Sequence, residues 1–405
     1  MVQKGMKVCY HCSGGVEVRV LVTTEFYLPF RCGVTGAVEA EKKALGEKGD
    51  EVRVLTIAET EKSRYDASVS CWYVKATMKS FYKDSSASLN TRDPILDEVI
   101  AWKPDIIHSQ SEFFSFVFAS YLSKKLSIPI VHTCHTDFVS YTCHFTSHYR
   151  IWNFLASRFV PLFIRRAKRI ICSTDKIYDL ISSYKVKQPI DRIFIGIDLD
   201  LYAHPLPADE RRLFRKKYGI EDDDILFLSV SRLSREKNSG ETLSLFEKLR
   251  TREKRVKLLF VGDGEEREAL EKRVNDEGLS NSVFFAGEVE HSDVWKYYRA
   301  GDIYIGSSRS ETQCLSYIEA MASELPVIVR YDSVLSSYLV SGVNGFSYNS
   351  ENEFLTIASA LIADGDKRRE IGRRAVIDSR AFSLSIFAER LHDSFRKALK
   401  DNSRG

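Results

Sequence analysis

The chain has no apolar run of the roughly 18 residues that a membrane span requires. The longest candidate, residues 113–122, is broken by serines and followed by two lysines. It also has no apolar stretch of signal-peptide length before Gly14-Gly15, so export is not expected and a cytoplasmic location is. There is no excess of charge of one sign: the net charge is +3 on 405 residues, which offers nucleic acid no global attraction, and no binding module for it is recognisable. No 20–50-residue repeat and no low-complexity tract is present, which excludes a solenoid. Cysteine is not scarce, but the eight residues at 9, 12, 32, 71, 134, 143, 172 and 314 lack the spacing of a disulfide framework and suit reduced thiols in a large intracellular protein. Cys9-x-x-Cys12, with His11 inside it, lacks the second ligand pair of a zinc ribbon and reads as a leader before the first strand.

What is present is enough chain for two hydrophobic cores, and hence for two lobes with a cleft. Short β-branched runs alternate with amphipathic helical patterns in both halves, which predicts a parallel, doubly wound α/β sheet in each. The runs are 18–22, 51–55, 105–108, 130–133, 169–172 and 192–195 in the first half. In the second they are 225–230, 257–261, 282–285, 302–305 and 326–329. The boundary is expected after Ile195, where Pro205 and Pro207 interrupt regular structure before a helix at 208–217. This divides the chain into 1–200, 201–382 and a last helical segment, 383–405, able to pack back on either lobe.

Ligands of such sheets bind beyond the carboxyl ends of strands, at loops leading into helix N-termini. After the run ending at Ile305 comes Gly306-Ser-Ser-Arg-Ser-Glu311-Thr312-Gln313-Cys314, then a helix expected over 315–322. Glu311 precedes that helix and Glu319 lies two turns into it, a separation of roughly 12 Å at helical rise. A carboxylate takes both hydrogens of a vicinal diol, and the helix N-terminus between the two acids faces an anion. A nucleoside diphosphate sugar has that form. Alone, such a pair reads as a solvated or helix-start acid, but the loop after 225–230 adds Arg232, a planar fork for phosphate, and Lys237, a point charge. Glu221-Asp-Asp-Asp224 precedes a strand, at the wrong end of the sheet for a metal-binding acidic motif, and reads as a solvated turn.

Ser308-x-x-Glu311-x7-Glu319-Ala-Met-Ala, together with Ser231-Arg232-Leu233 and Glu236-Lys237-Asn238, resembles the family 4 retaining glycosyltransferases of the GT-B fold. The likeness runs over nearly the whole chain, through Thr23-Thr-Glu-Phe-Tyr-Leu-Pro29 with Gly33-Val34, Gly196-Ile197-Asp198, Phe260-Val-Gly-Asp-Gly264, Phe285-Ala-Gly287 and Gly342-Val-Asn-Gly-Phe346. The resemblance implies two Rossmann-like domains with an interdomain cleft. It implies that Glu311 meets the hexose hydroxyls, Glu319 the ribose, and Arg232 and Lys237 the diphosphate. His135 would come from the first lobe to the sugar, and the Gly33 loop would approach the phosphate. Backbone near Val289 would meet the nucleobase, and Thr312, Gln313, Cys314 and Leu315 would line the donor. It implies retention without a protein nucleophile, no metal and no cofactor beyond the nucleotide sugar.

Between Phe138 and Thr174 there is no acidic residue, while Arg150, Arg158, Arg165, Arg166, Lys168 and Arg169 accumulate among aromatics that include Tyr141 and Trp152. Such a stretch suits an anionic membrane surface and would make the protein peripheral on its cytoplasmic face; part of it must also serve as a core helix. Two strings, Glu311-Thr312-Gln313 with Tyr317-Ile-Glu-Ala-Met-Ala, and His132-Thr-x-His135-Thr136 with Tyr141, resemble the diacylglycerol α-glucosyltransferases, implying UDP-glucose as donor and 1,2-diacylglycerol as acceptor. A phosphatidylinositol mannosyltransferase using GDP-mannose, a phosphorylase or epimerase, and a non-catalytic nucleotide-sugar-binding subunit remain alternatives. Three positions depart from the family pattern: Cys314 and Glu324 where glycine is usual, and Cys32 where a polar residue is.

Overall fold

The computed structural model describes residues 18–30, 32–79, 86–135, 157, 158 and 160–403. Among the described residues, ten strands lie in the first half: β1 (Arg19–Thr23), β2 (Glu51–Ala58), β3 (Arg64–Asp66), β4 (Cys71–Lys75), β5 (Met78–Lys79), β6 (Ser86–Ala87), β7 (Ile106–Ser109), β8 (Ile130–Cys134), β9 (Arg169–Cys172) and β10 (Ile190–Arg192). Six follow in the second: β11 (Ile225–Val230), β12 (Val256–Val261), β13 (Val283–Phe285), β14 (Ile303–Gly306), β15 (Val327–Arg330) and β16 (Phe346–Tyr348). They form an eight-stranded sheet in the order β10-β9-β8-β7-β1-β2-β4-β3, a six-stranded sheet in the order β13-β12-β11-β14-β15-β16, and the small β5-β6 ribbon. Both large sheets are parallel except for β3, which runs antiparallel to β4 at one edge. The fold is GT-B.

Helices cover both faces, so the strands are continuous apolar runs rather than alternating ones. In β1, Val20 and Val22 enter one core while Leu21 enters the opposite one. In β11, Leu226 and Leu228 likewise face away from Phe227. The strand expected at 192–195 lies earlier, at Ile190–Arg192, because parallel pairing with Ile170–Cys172 sets its register. Strands β3 to β6 and β16 were not expected.

The chain crosses between the sheets twice. The first crossing, after β10, carries a short helix, Leu199–Ala203, with Tyr202 buried. The second runs through a single 3-10 turn, Arg380–Phe382, into the last helix, Leu384–Asn402, which Ser383 caps through the amide of Ile386. This helix leaves the second sheet and packs on the first: Leu384, Phe387, Ala388, Leu391, Phe395 and Ala398 join the core around Val20 and Val22. At the crossings the two segments touch. Ile197 donates its amide to the Phe382 carbonyl at 2.8 Å, and the rings of Phe194 and Phe382 pack edge-on at 4.9 Å. Among the described residues no helix is long and apolar enough to cross a membrane.

Gly196 is fixed by this packing, since a Cβ on it would lie 2.7 Å from the Cβ of Phe387. Gly196→Ala is therefore expected to lower stability by roughly 1–3 kcal/mol, the cost of overpacking, read as a shift of the urea unfolding midpoint.

Candidate functional site

In each sheet the strand order reverses once, between β1 and β7 and between β11 and β14. The loops beyond these switch points are where an open parallel sheet leaves a crevice. In the second sheet they are the loops of 231–238 and 307–314. They bring Lys237 and Glu311 together, Lys237 Nζ lying 2.7 Å from Glu311 Oε1. The carboxylate is nearly buried and the ammonium three-quarters so. Burial pulls the Lys237 ammonium toward neutrality, but the Glu311 carboxylate outweighs it and holds the amine above the ordinary lysine range. The pair lines a narrow cleft with Ser231, Ser308, Cys314 and Ser316, at the N-terminus of the helix Leu315–Ala322, whose bounds match the expected ones. Glu319, on that helix, accepts a hydrogen bond from the Tyr298 hydroxyl at 2.8 Å.

The loop that carries Glu311 is held by the other half of the chain. The Glu311 carbonyl accepts from Lys176 Nζ at 3.1 Å, and the Thr312 carbonyl from Thr174 Oγ1 at 2.8 Å. Gln313, expected at the donor, instead turns its amide onto the backbone of Ile195, accepting from its N–H at 2.8 Å and donating to its carbonyl at 2.9 Å. Its side chain is a clamp between halves. Arg232 is also not gathered with Lys237: half exposed, it sits 3.7 Å from Glu265. The expected cation pair is thus a buried lysine and a separate surface arginine.

Two of the three departures from the family pattern have a backbone signature. Cys314 has φ +55° and Glu324 φ +66°, in the left-handed region that glycine occupies without strain. Cys314 is the residue just before the helix, and its thiol is buried, which raises its pKa, as does the nearby Glu311 carboxylate. Cys32 is extended at φ −153° and carries no such strain.

From the first sheet, His135 follows β8 directly. Burial pushes its pKa down to about 3, with His108 and His132 adding to the effect, so its ring is neutral. Its tautomer follows from its neighbours. Glu41, fully buried on the helix Gly33–Gly46, takes His108 Nδ1 at 2.6 Å on one oxygen and Gln110 Nε2 at 2.6 Å on the other. A carboxylate only accepts, so the Gln110 amide nitrogen must face Glu41 and its oxygen must face His135 Nε2, with which it is hydrogen-bonded. His135 therefore carries its proton on Nε2 and keeps Nδ1 as an acceptor. Sequence reasoning missed Glu41, His108 and Gln110. The available signal was that Glu41 falls on the apolar face of its helix, among Ala37, Val38, Ala44 and Leu45.

Gly33 opens the same helix, and a Cβ on it would meet nothing within 4 Å, so open space lies beside it. Val289 is half-buried against the second core, and Leu315 is half-buried at the helix start. Of the basic aromatic stretch, Tyr141, Arg150 and Trp152 lie outside the described residues. Arg158, Arg165, Arg166 and Lys168 are exposed, as is Leu162, while Val160, Ile164 and Ala167 are buried. Arg169, counted with the exposed cations in the sequence, is instead buried in a two-pronged ion pair with Asp191, at 2.7 and 2.6 Å.

Two family models match the chain: "Glycosyltransferase Family 4" over residues 33–201 and "Glycosyl transferases group 1" over residues 210–376. The alpha-monoglucosyldiacylglycerol synthase of Streptococcus pneumoniae is 28% identical over 95% of this chain and 87% of its own length. That of Acholeplasma laidlawii is 26% identical over 96% and 99%. Among solved structures, Anabaena HepE in complex with UDP and glucose superposes with a TM-score of 0.74 at 20% identity, covering 94% of this chain and all of that one.

The strain at Cys314 gives an expected outcome. Cys314→Gly removes a Cβ from a left-handed residue and is expected to raise stability by roughly 1 kcal/mol, whereas Cys32→Gly is expected not to. Denaturant unfolding of both variants checks this.

Proposed function

The chain belongs to glycosyltransferase family 4, and we propose that it transfers glucose from UDP-glucose to the free hydroxyl of 1,2-diacylglycerol, retaining the anomeric configuration, at a membrane surface. The observation that carries the donor reading is the buried Lys237–Glu311 pair at the switch point of the second sheet, beside a helix N-terminus. Charge on the departing diphosphate is the main obstacle to breaking the glycosidic bond, and fixed donors aimed at it are the largest available source of rate. Lys237 and the amides opening the helix Leu315–Ala322 fill that role. Arg232, whose present contact with Glu265 is long and exposed, joins them when the diphosphate enters.

Glu311 then accepts from the hexose hydroxyls. Glu319, which already accepts from Tyr298, meets the ribose diol. From the first lobe His135, neutral and with Nδ1 as its acceptor, takes a hydrogen bond from a sugar hydroxyl. The acceptor hydroxyl attacks from the face that the phosphate leaves, and a phosphate oxygen takes its proton. Gly33 leaves the room its loop needs beside the phosphates, and backbone near Val289 meets the base.

The lipid acceptor rests on the similarity to the two diacylglycerol glucosyltransferases and on the 158–168 segment. That segment exposes Leu162 beside Arg158, Arg165, Arg166 and Lys168, an apolar side chain among cations that an anionic surface attracts by about 1 kcal/mol each. Such binding would hold the protein reversibly on the cytoplasmic face.

The test is product analysis with labelled UDP-glucose and GDP-mannose on vesicles containing diacylglycerol or phosphatidylinositol. α-Glucosyl diacylglycerol is expected. Mannosyl phosphatidylinositol, or nucleotide binding with no transfer, would replace this reading with one of the alternatives. Glu311→Ala and Arg232→Ala are each expected to lower transfer at least tenfold, about 1.4 kcal/mol of transition-state stabilisation. Flotation with anionic liposomes is expected for the wild type and lost in the Arg165→Glu, Arg166→Glu double variant.

A further inference from the structure

A second group of side chains, which the transfer chemistry does not use, lies inside the first lobe. Glu112 stands in the loop after β7, and His132 and Cys134 are two apart on β8, so they project from one face of the sheet. One donor atom from each, a carboxylate oxygen, an imidazole nitrogen and a sulfur, lie within 4.8 Å of one another. The three residues are 4%, 0% and 1% exposed. Neither ring nitrogen of His132 nor Oε1 of Glu112 has a hydrogen-bond partner among the described residues. The approach between them, His132 Nε2 to Glu112 Oε1, is 3.7 Å, beyond hydrogen-bond length. Buried polar groups are ordinarily paired, and each such exception calls for an occupant or a function.

We propose that Glu112, His132 and Cys134 bind one divalent transition-metal ion, of which Zn²⁺ best fits a mixed oxygen, nitrogen and sulfur set. The ion accepts lone pairs that have no partner among the described residues. Cys134 binds as thiolate, its proton leaving to solvent, so one carboxylate and one thiolate balance the double charge and the buried site is neutral. The His132 ring is braced for this by Phe116, packed edge-on at 5.4 Å. A water molecule completes the fourth position. The ion ties the loop of Gln110 to the end of β8, one residue before His135, and so steadies the first lobe without entering the reaction. It does not depend on the donor or acceptor named above.

The test is titration of the full chain, stripped with chelator, by Co²⁺ alone. The Cys9→Ser, Cys12→Ser variant is the background, so that the N-terminal CxxC contributes nothing. Thiolate-to-cobalt charge-transfer absorption and tetrahedral ligand-field bands are expected at one equivalent, bleached by Zn²⁺. They are expected to vanish in Cys134→Ser and to weaken at least tenfold in affinity in Glu112→Gln, with circular dichroism showing both variants folded. Should Cys134→Ser not fold, Glu112→Gln alone decides. Absence of the bands in the background protein, or bands of unchanged affinity in these variants, overturns the site whatever the outcome of the transfer assays.

Discussion

The loop between β14 and the helix Leu315–Ala322 belongs to the second sheet by sequence and is held by the first through hydrogen bonds. Gln313 takes both backbone groups of Ile195, while Lys176 donates to the Glu311 carbonyl and Thr174 to the Thr312 carbonyl. The position of Glu311, and with it the ion pair to Lys237, thus depends on how the two halves sit against each other. An amide that accepts and donates at once to a single residue fixes direction as well as distance, which a salt bridge between flexible side chains does not. The second sheet supplies the charges of the site, and the first sets where they are held.

Much of this was legible in the chain because both sheets are parallel and doubly covered. Buried strands such as Ile225–Val230 and Arg169–Cys172 are apolar over several consecutive residues and stop at turn-forming ones, so they stand out. The short elements did not. Phe346–Tyr348 is three residues beside a glycine turn, and Cys71–Lys75 pairs with the antiparallel edge strand Arg64–Asp66. Ile193 and Ile195 suggested a strand, but both are buried beyond its end, where they meet the packing of the crossing.

The candidate site was legible where neighbouring loops carry it, as with Glu311 and Lys237, which were singled out together and are paired. It was not where distant segments converge. Nothing local distinguishes a glutamine that clamps Ile195 from one that meets a ligand, and nothing marks Arg169 as the partner of Asp191 rather than a surface cation. Glu41 differs: its placement on an apolar helix face is a readable conflict between residue and pattern, and such conflicts mark places where a buried polar partner is required.

The paired crossings have a mechanical consequence. Two segments bridge the lobes, and they are hydrogen-bonded side by side through Ile197 and Phe382. A single linker would leave one lobe free to swing and twist about a point. Two parallel linkers that share a bond leave an axis, as in a door with its leaves joined along one edge. Rotation about that edge has to part Lys176 and Thr174 from the carbonyls of Glu311 and Thr312, so the loop that carries Glu311 resists it. Any twist out of that plane would have to break the bond between the two.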